Sequence, residues 1–311
     1  MKAVLQPDEI WSVFGNFPAE PDLFAKEFIP DLFLKPDVPI DVRDNFKVIA
    51  KLLQHSYYVY KFYDVAVLKS LLTLEMALKL RYKAIYADDW GTKSLKSLMD
   101  LFKKNRYFEV YNSDYLDHVR TIRNMLAHPS QHSVSGPNGK IIIENVLDLI
   151  NGLYESPALR LKRIKLTMKI INQLGRYPNG IKCTVGNNVY FAINAWPAFI
   201  NNKLTPQEIY FYFHPTFTVP ENSTNWLIPP TIAFTGISIR FTVEGISMQN
   251  AGGETLLISE ITNNAEKISY NNWMNAFRPL VYPNIGYLTK GEKMTDTFSM
   301  HLREFHQQST S

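Results

Sequence analysis

A chain of 311 residues with 46% hydrophobic and 20% charged side chains exceeds what one core usually serves, and predicts two compact units. Its single cysteine, Cys183, excludes an internal disulfide and a zinc cluster built from thiols, and reads as a buried small apolar residue. The net charge of +4 is unevenly spread: residues 1–42 carry 3 basic and 8 acidic side chains, residues 43–175 carry 21 and 12, and residues 176–311 carry 9 of each. A segment with the middle excess attracts polyanions, so RNA or DNA is an expected partner. Met1 to Trp11 is acidic and polar where the apolar stretch of a secretory signal would lie. The longest apolar run, Val65 to Leu80, is broken by Lys69, Glu75 and Lys79, short of the roughly 20 residues a span needs. The expectation is a cytoplasmic protein with no membrane partner.

The first 42 residues mix Pro18, Pro21, Pro30, Pro36 and Pro39 with Phe14, Phe17, Phe24, Phe28 and Phe33. Each proline removes a donor and crowds the preceding turn, which argues against a long helix. The segment reads as an acidic arm packed along the next domain, either a structural strap or a restraint whose carboxylates, Asp22, Asp31, Asp37 and Asp41, lie across the basic surface.

Residues 43–175 read as helical almost throughout. Apolar side chains recur at helix spacing in Val48, Leu52 and Leu53, and again from Val67 to Leu78, predicting two long helices or one kinked helix. A shorter helix runs from Ser94 to Lys104. Asn112, Ser113 and Asp114 supply N-cap candidates for a helix through Leu126 that His128-Pro129 closes. After the turn Gly136-Pro137-Asn138-Gly139 a last pair is predicted, Ile141 to Tyr154 and Ser156 to Leu174, completing an all-α bundle.

Residues 176–311 change to short β-rich runs. Ile237, Ile239, Phe241 and Val243 alternate with polar residues, the period of a half-buried strand. Ile209 to His214 and Cys183 to Ile193 read the same way, the latter with a bend at Asn187-Asn188, and Gly252-Gly253 marks another turn. The predicted class is therefore α+β and multidomain, a helical bundle followed by a mainly β domain.

The most informative string is Arg123-Asn124-Met125-Leu126-Ala127-His128, followed by Pro129. It sets a guanidinium, an amide and an imidazole at the close of an amphipathic helix. An imidazole moves protons near neutral pH, a guanidinium holds a phosphate through paired hydrogen bonds, and an amide orients either. On these residues the segment resembles the HEPN superfamily, α-helical bundles with an Arg, a polar residue and a later His at the end of a long helix. The earlier element Leu74-Glu75-Met76-Ala77-Leu78-Lys79 is similar to an acidic-x3-basic element of many members. The resemblance covers roughly residues 44 to 175 and leaves the arm and the β domain outside it.

The resemblance implies a metal-independent endoribonuclease of a toxin or phage-defence system, acting as a homodimer whose two motifs face each other across a groove, under an antitoxin or trigger protein. His128, Arg123 and Asn124 are then the expected catalytic residues, with Glu75 and Lys79 supporting them. Products would be a 2′,3′-cyclic phosphate and a 5′-hydroxyl, with no cofactor and no metal. The resemblance equally embraces non-catalytic members that bind RNA, nucleotides or proteins, and Arg123 would then pair structurally with Glu75 or Asp117. Some toxin members carry a modifiable Tyr two residues after the His; here that position is Ser130, which puts such control in doubt.

Lys103, Lys104, Arg106 and Arg120 are expected to bind RNA, and Arg160, Lys162, Arg163, Lys165 and Lys169 stud a second basic helix that is either solvated or an RNA track. His118 also lies on the motif helix. The run Tyr57 to Tyr63 offers rings for base stacking, but most must be core or interface. His128 and His132 have metal-ligand spacing, yet Pro129 interrupts the helix between them.

Overall fold

A computed structural model of the chain describes residues 6–14, 20–87, 93–108, 113–127, 136, 138–216, 231–281 and 305–307. It is an α+β protein that divides into two compact units, Met1–Glu155 and Ser156–Ser311.

In the first unit, a 3-10 helix (Glu9–Phe14) and α1 (Pro21–Phe28) precede α2 (Ile40–His55), α3 (Lys61–Tyr86), α4 (Leu95–Lys104), α5 (Ser113–Ala127) and α6 (Asn138–Leu153). The 26-residue α3 is the axis, packing against α2, α4, α5 and α6. Its sequence explains this: Tyr63, Ala66, Val67, Leu71, Leu74, Ala77 and Leu78 are buried, a stripe too wide for a single neighbour. Gly139 lets α6 approach, since a Cβ there would lie 2.4 Å from a ring carbon of Tyr63.

The N-terminal segment belongs to this core. Trp11 is fully buried, with ring centroids of Phe24, Phe28, Tyr60 and Tyr63 at 4.8–5.2 Å, and its indole N–H donates to the Ser56 carbonyl at 2.8 Å. Lys35 is tied to α6 from its backbone N–H and its ammonium, which donate to Asn151 Oδ1 and O. Proline limits this segment to short helices, and apolar burial fixes it. Tyr57, Tyr60 and Tyr63 are likewise core residues, while Val59 and Phe62 are exposed.

In the second unit α7 (Pro157–Leu174) is followed by β1 (Ile181–Val185), β2 (Asn188–Asn201), β3 (Glu208–Pro215), β4 (Ile232–Gly236), β5 (Ser238–Phe241), β6 (Gly245–Gln249), β7 (Thr255–Glu260) and α8 (Asn264–Val281). All pairings are antiparallel, in the order β4-β3-β2-β1-β7-β6-β5. The ends of that order, β4 and β5, are separated in the chain by Ile237 alone, whose N–H donates to the Gln249 carbonyl at 2.7 Å. A Cβ on Gly236 would lie 2.9 Å from Cβ of Met248 on β6. The sheet therefore curls until its two ends are the two halves of one bent strand. Cys183, Ile209, Phe211, Phe213, Ile246, Met248, Leu256 and Ile258 form its core, together with Ile170 and Leu174 of α7.

Three sequence expectations change. The last helix of the predicted bundle, α7, packs instead on β2 and β6, so the compact units part at Glu155/Ser156 rather than after residue 175. The alternating run from Ile237 to Val243 is a strand only from Ser238 to Phe241, and Val243 is fully exposed in the turn that follows. The bend expected at Asn187-Asn188 falls one residue earlier, in the Gly186-Asn187 loop that Val185 and Asn188 flank as a pair. Helix α8 was not foreseen.

Candidate functional site at the α3–α5 interface

Helix α5 buries Leu116, Val119 and Ile122 against the bundle, which turns Asn124 outward and leaves Arg123 half-buried beside α3. Arg123 donates from one terminal nitrogen to Glu75 Oε2 at 3.0 Å and from the other to Asn124 Oδ1 at 3.1 Å. Glu75 in turn accepts from Lys79 at 2.7 Å, one helical turn on along α3. The structure thus brings together four of the predicted residues, Arg123, Asn124, Glu75 and Lys79. With the Glu75 and Arg123 side chains only 16% and 30% exposed, solvent screens this pair less than a surface pair. Removing either partner leaves a partly buried charge, a cost on the order of 1–3 kcal/mol. Arg123 Nε is buried and has no hydrogen-bond partner among the described residues.

His128 lies outside the described residues, as do Pro129, Ser130 and His132; the helix is described to Ala127, the residue before the imidazole. Asp117, the other sequence candidate to pair with Arg123, lies instead 3.4 Å from Arg120. His118 is exposed.

The predicted RNA-binding residues separate. Lys103 and Arg120 both line a small, open cleft between α4 and α5. Lys104 and Arg106 lie outside it, both exposed at the end of α4. Arg106 has a left-handed backbone, φ 57°, because it ends α4: its N–H donates to the Lys103 carbonyl and that of Tyr107 to the Phe102 carbonyl. That is the Schellman pattern, completed by the Phe102–Tyr107 ring contact at 5.1 Å.

Charge follows the unit boundary. Residues 1–155 carry 19 basic and 20 acidic side chains and residues 156–311 carry 14 and 9, because the five cations of α7 belong to the second unit. Two of these are not a solvated track: Arg160 and Arg163 are buried, and Arg163 lies 5.5 Å from the ring centroid of Phe199 and 5.2 Å from that of Phe305. The first unit therefore carries no net positive charge that would draw a polyanion to it as a whole.

Among the described residues no three His, Cys, Asp or Glu side chains are grouped to hold a metal ion, and no helix is long and apolar enough to cross a membrane. Compared with known proteins, the chain matches no family model, no curated protein and no solved structure.

Proposed function

We propose that the chain is a metal-independent endoribonuclease of HEPN type, its site built on Arg123, Asn124 and His128 and braced by Glu75 and Lys79. The observation that carries this reading is the Lys79–Glu75–Arg123 relay: a guanidinium fixed from a neighbouring helix, beside an exposed Asn124, one turn before the imidazole in sequence. A preorganised cation is what a developing phosphorane charge requires. In the reaction the ribose 2′-hydroxyl loses its proton and its oxygen bonds to phosphorus. The bond to the 5′-oxygen breaks, and that oxygen takes a proton. His128 serves as the acid or base, Arg123 stabilises the charge on phosphorus, and Asn124 orients the imidazole or a phosphate oxygen. The acting form is a homodimer with facing motifs, held in check by an antitoxin or a trigger protein in a defence setting.

A second reading is favoured by one detail. Both terminal nitrogens of Arg123 are already engaged, by Glu75 and Asn124, as in a bundle that binds RNA, nucleotides or protein without cutting.

Incubation of purified protein with labelled single-stranded and structured RNAs in excess chelator, with analysis of product ends, separates the two. The expected outcome is cyclic-phosphate and 5′-hydroxyl ends, with His128→Ala slower by about 10²–10⁴-fold. Glu75→Gln should slow cleavage less while preserving the fold. Undiminished cleavage by an Arg123→Ala, His128→Ala double variant overturns the assignment, and RNA binding without cleavage moves it to the second reading.

A further inference from the structure

Beside the proposed site, the cleft between α4 and α5 has walls of mixed charge. Helix α4 contributes Lys96, Met99, Asp100 and Lys103, which recur at i, i+3, i+4 and i+7 and so share one face. Helix α5 contributes Leu116, Asp117 and Arg120. Three cations therefore stand against two carboxylates over a floor of Met99 and Leu116, side chains otherwise buried in the bundle. Arg120 is poorly committed to its neighbours: its contact with Asp117 is 3.4 Å long, and its buried Nε has no hydrogen-bond partner among the described residues.

The stripe that lines this cleft continues into the motif. Arg120 precedes Arg123 by three residues and Asn124 by four, so all three share a side of α5, and Arg120 to Arg123 is a rise of about 4.5 Å. A group held at Arg120 is thus a neighbour of one held at Arg123.

We propose that the α4–α5 cleft is a nucleotide subsite, taking one nucleoside phosphate, either as the unit flanking the cleaved bond of an RNA strand or as a free mononucleotide. Its phosphate pairs with Arg120 and Lys103, with Lys96 at the rim. The carboxylates of Asp117 and Asp100 accept from ribose hydroxyls or base amino groups, and the apolar floor meets the base. The mixture of signs is the argument for a nucleotide over a simple anion, since a nucleotide offers, besides its phosphate, ribose hydroxyls and base amino groups for two carboxylates to accept from. The strand form of the proposal rests on the ribonuclease reading; occupation of the cleft does not.

The test measures binding, so that it does not depend on turnover. Fluorescence anisotropy with a labelled single-stranded RNA, in the His128→Ala background and in chelator, is compared with the same protein carrying Arg120→Ala, Lys103→Ala or, as a control on α2 outside the cleft, Lys47→Ala. Thermal melts establish that each variant is folded. Arg120→Ala and Lys103→Ala should each weaken binding about tenfold and flatten the slope of log K against log salt by about 0.7, while Lys47→Ala changes neither. Calorimetric titration with AMP, GMP and inorganic phosphate separates the sources. A mononucleotide that binds and is lost in Arg120→Ala supports the free form, whereas RNA binding alone supports the strand form. Equal affinity of folded Arg120→Ala and its parent for RNA and mononucleotides overturns the proposal, as does inorganic phosphate binding as tightly as a mononucleotide. Absence of RNA cleavage with Arg120-dependent binding retained counts against the ribonuclease reading and leaves the cleft assigned.

Discussion

Arg106 shows at the scale of one residue how a basic side chain can sit on a strained backbone. It occupies the left-handed residue of the turn that ends α4, a conformation that costs a side-chain-bearing residue on the order of 1 kcal/mol more than glycine. Arg106→Gly should therefore raise the melting temperature of the first unit by a few degrees and leave RNA binding unchanged, which calorimetry and anisotropy would check; a loss of RNA affinity would return Arg106 to the interface. His214 presents the opposite case, a polar side chain with little solvent. It is buried on β3, stacked 6.1 Å from the ring centroid of Trp196, with the Thr231 hydroxyl 3.0–3.1 Å from its ring nitrogens. Burial lowers its pKa below the ordinary 6.5, so on acidification the unfolded chain takes up this proton first. Its contribution is fully present above about pH 6.5 and is lost as the pH falls below that value. The melting temperature of the second unit should drop between pH 7.5 and 5 by more in the native sequence than in His214→Gln, and equal drops would refute the assignment.

Elements depend on a few close approaches that the same structure makes testable. At the start of β6, Gly245 has φ 154°, and a Cβ there would sit 2.0 Å from the Ile258 carbonyl oxygen on β7. Because the obstacle is backbone, Gly245→Ala must spread β6 from β7, and a loss of about 1–3 kcal/mol or more is expected in chemical denaturation of the second unit. Wild-type stability in that variant would mean that the β6–β7 register is looser than described. Much of this element structure was legible in the chain, because capping and periodicity are local. Ser94 predicted the start of α4, and its hydroxyl accepts from the Ser97 N–H; the helical spacing of Val119, Ile122 and Leu126 predicted α5. The partner of α7 was illegible, since Leu166, Ile170 and Leu174 form a stripe that serves a bundle or a sheet equally well. Helix α8 was missed because Asn264, Asn271, Asn272 and Asn275 dilute its apolar period. Within the candidate site, Glu75 and Arg123 are 48 residues apart, and only the family resemblance linked them beforehand. The convergence of Lys103 with Arg120 depends on how α4 lies against α5, which no local pattern encodes.

For the whole molecule, the boundary at Glu155/Ser156 predicts where the chain can be divided. A fragment of residues 156–311 keeps Ile170 and Leu174 in the sheet core and should fold by circular dichroism, whereas one of residues 176–311 exposes that core and should aggregate. Equal behaviour of the two would place α7 outside the unit. The boundary also divides the electrostatics, leaving the motif-bearing unit at a net −1 and its companion at +5. Association of RNA with the isolated first unit should accordingly lack the strong steering expected of a basic domain. The curled sheet has a bearing on how the second unit assembles. Ile181 pairs with Glu260, and the bent strand from Ile232 to Phe241 must join β3 on one side and β6 on the other, so contacts distant in sequence close the structure. Such wiring slows folding, because loop entropy is lost before those contacts form. Its compensation lies in what the finished fold withholds from other chains: among the described residues the outermost strands, β4 and β5, are the two halves of one bent strand, each only four or five residues long as a template for a foreign strand.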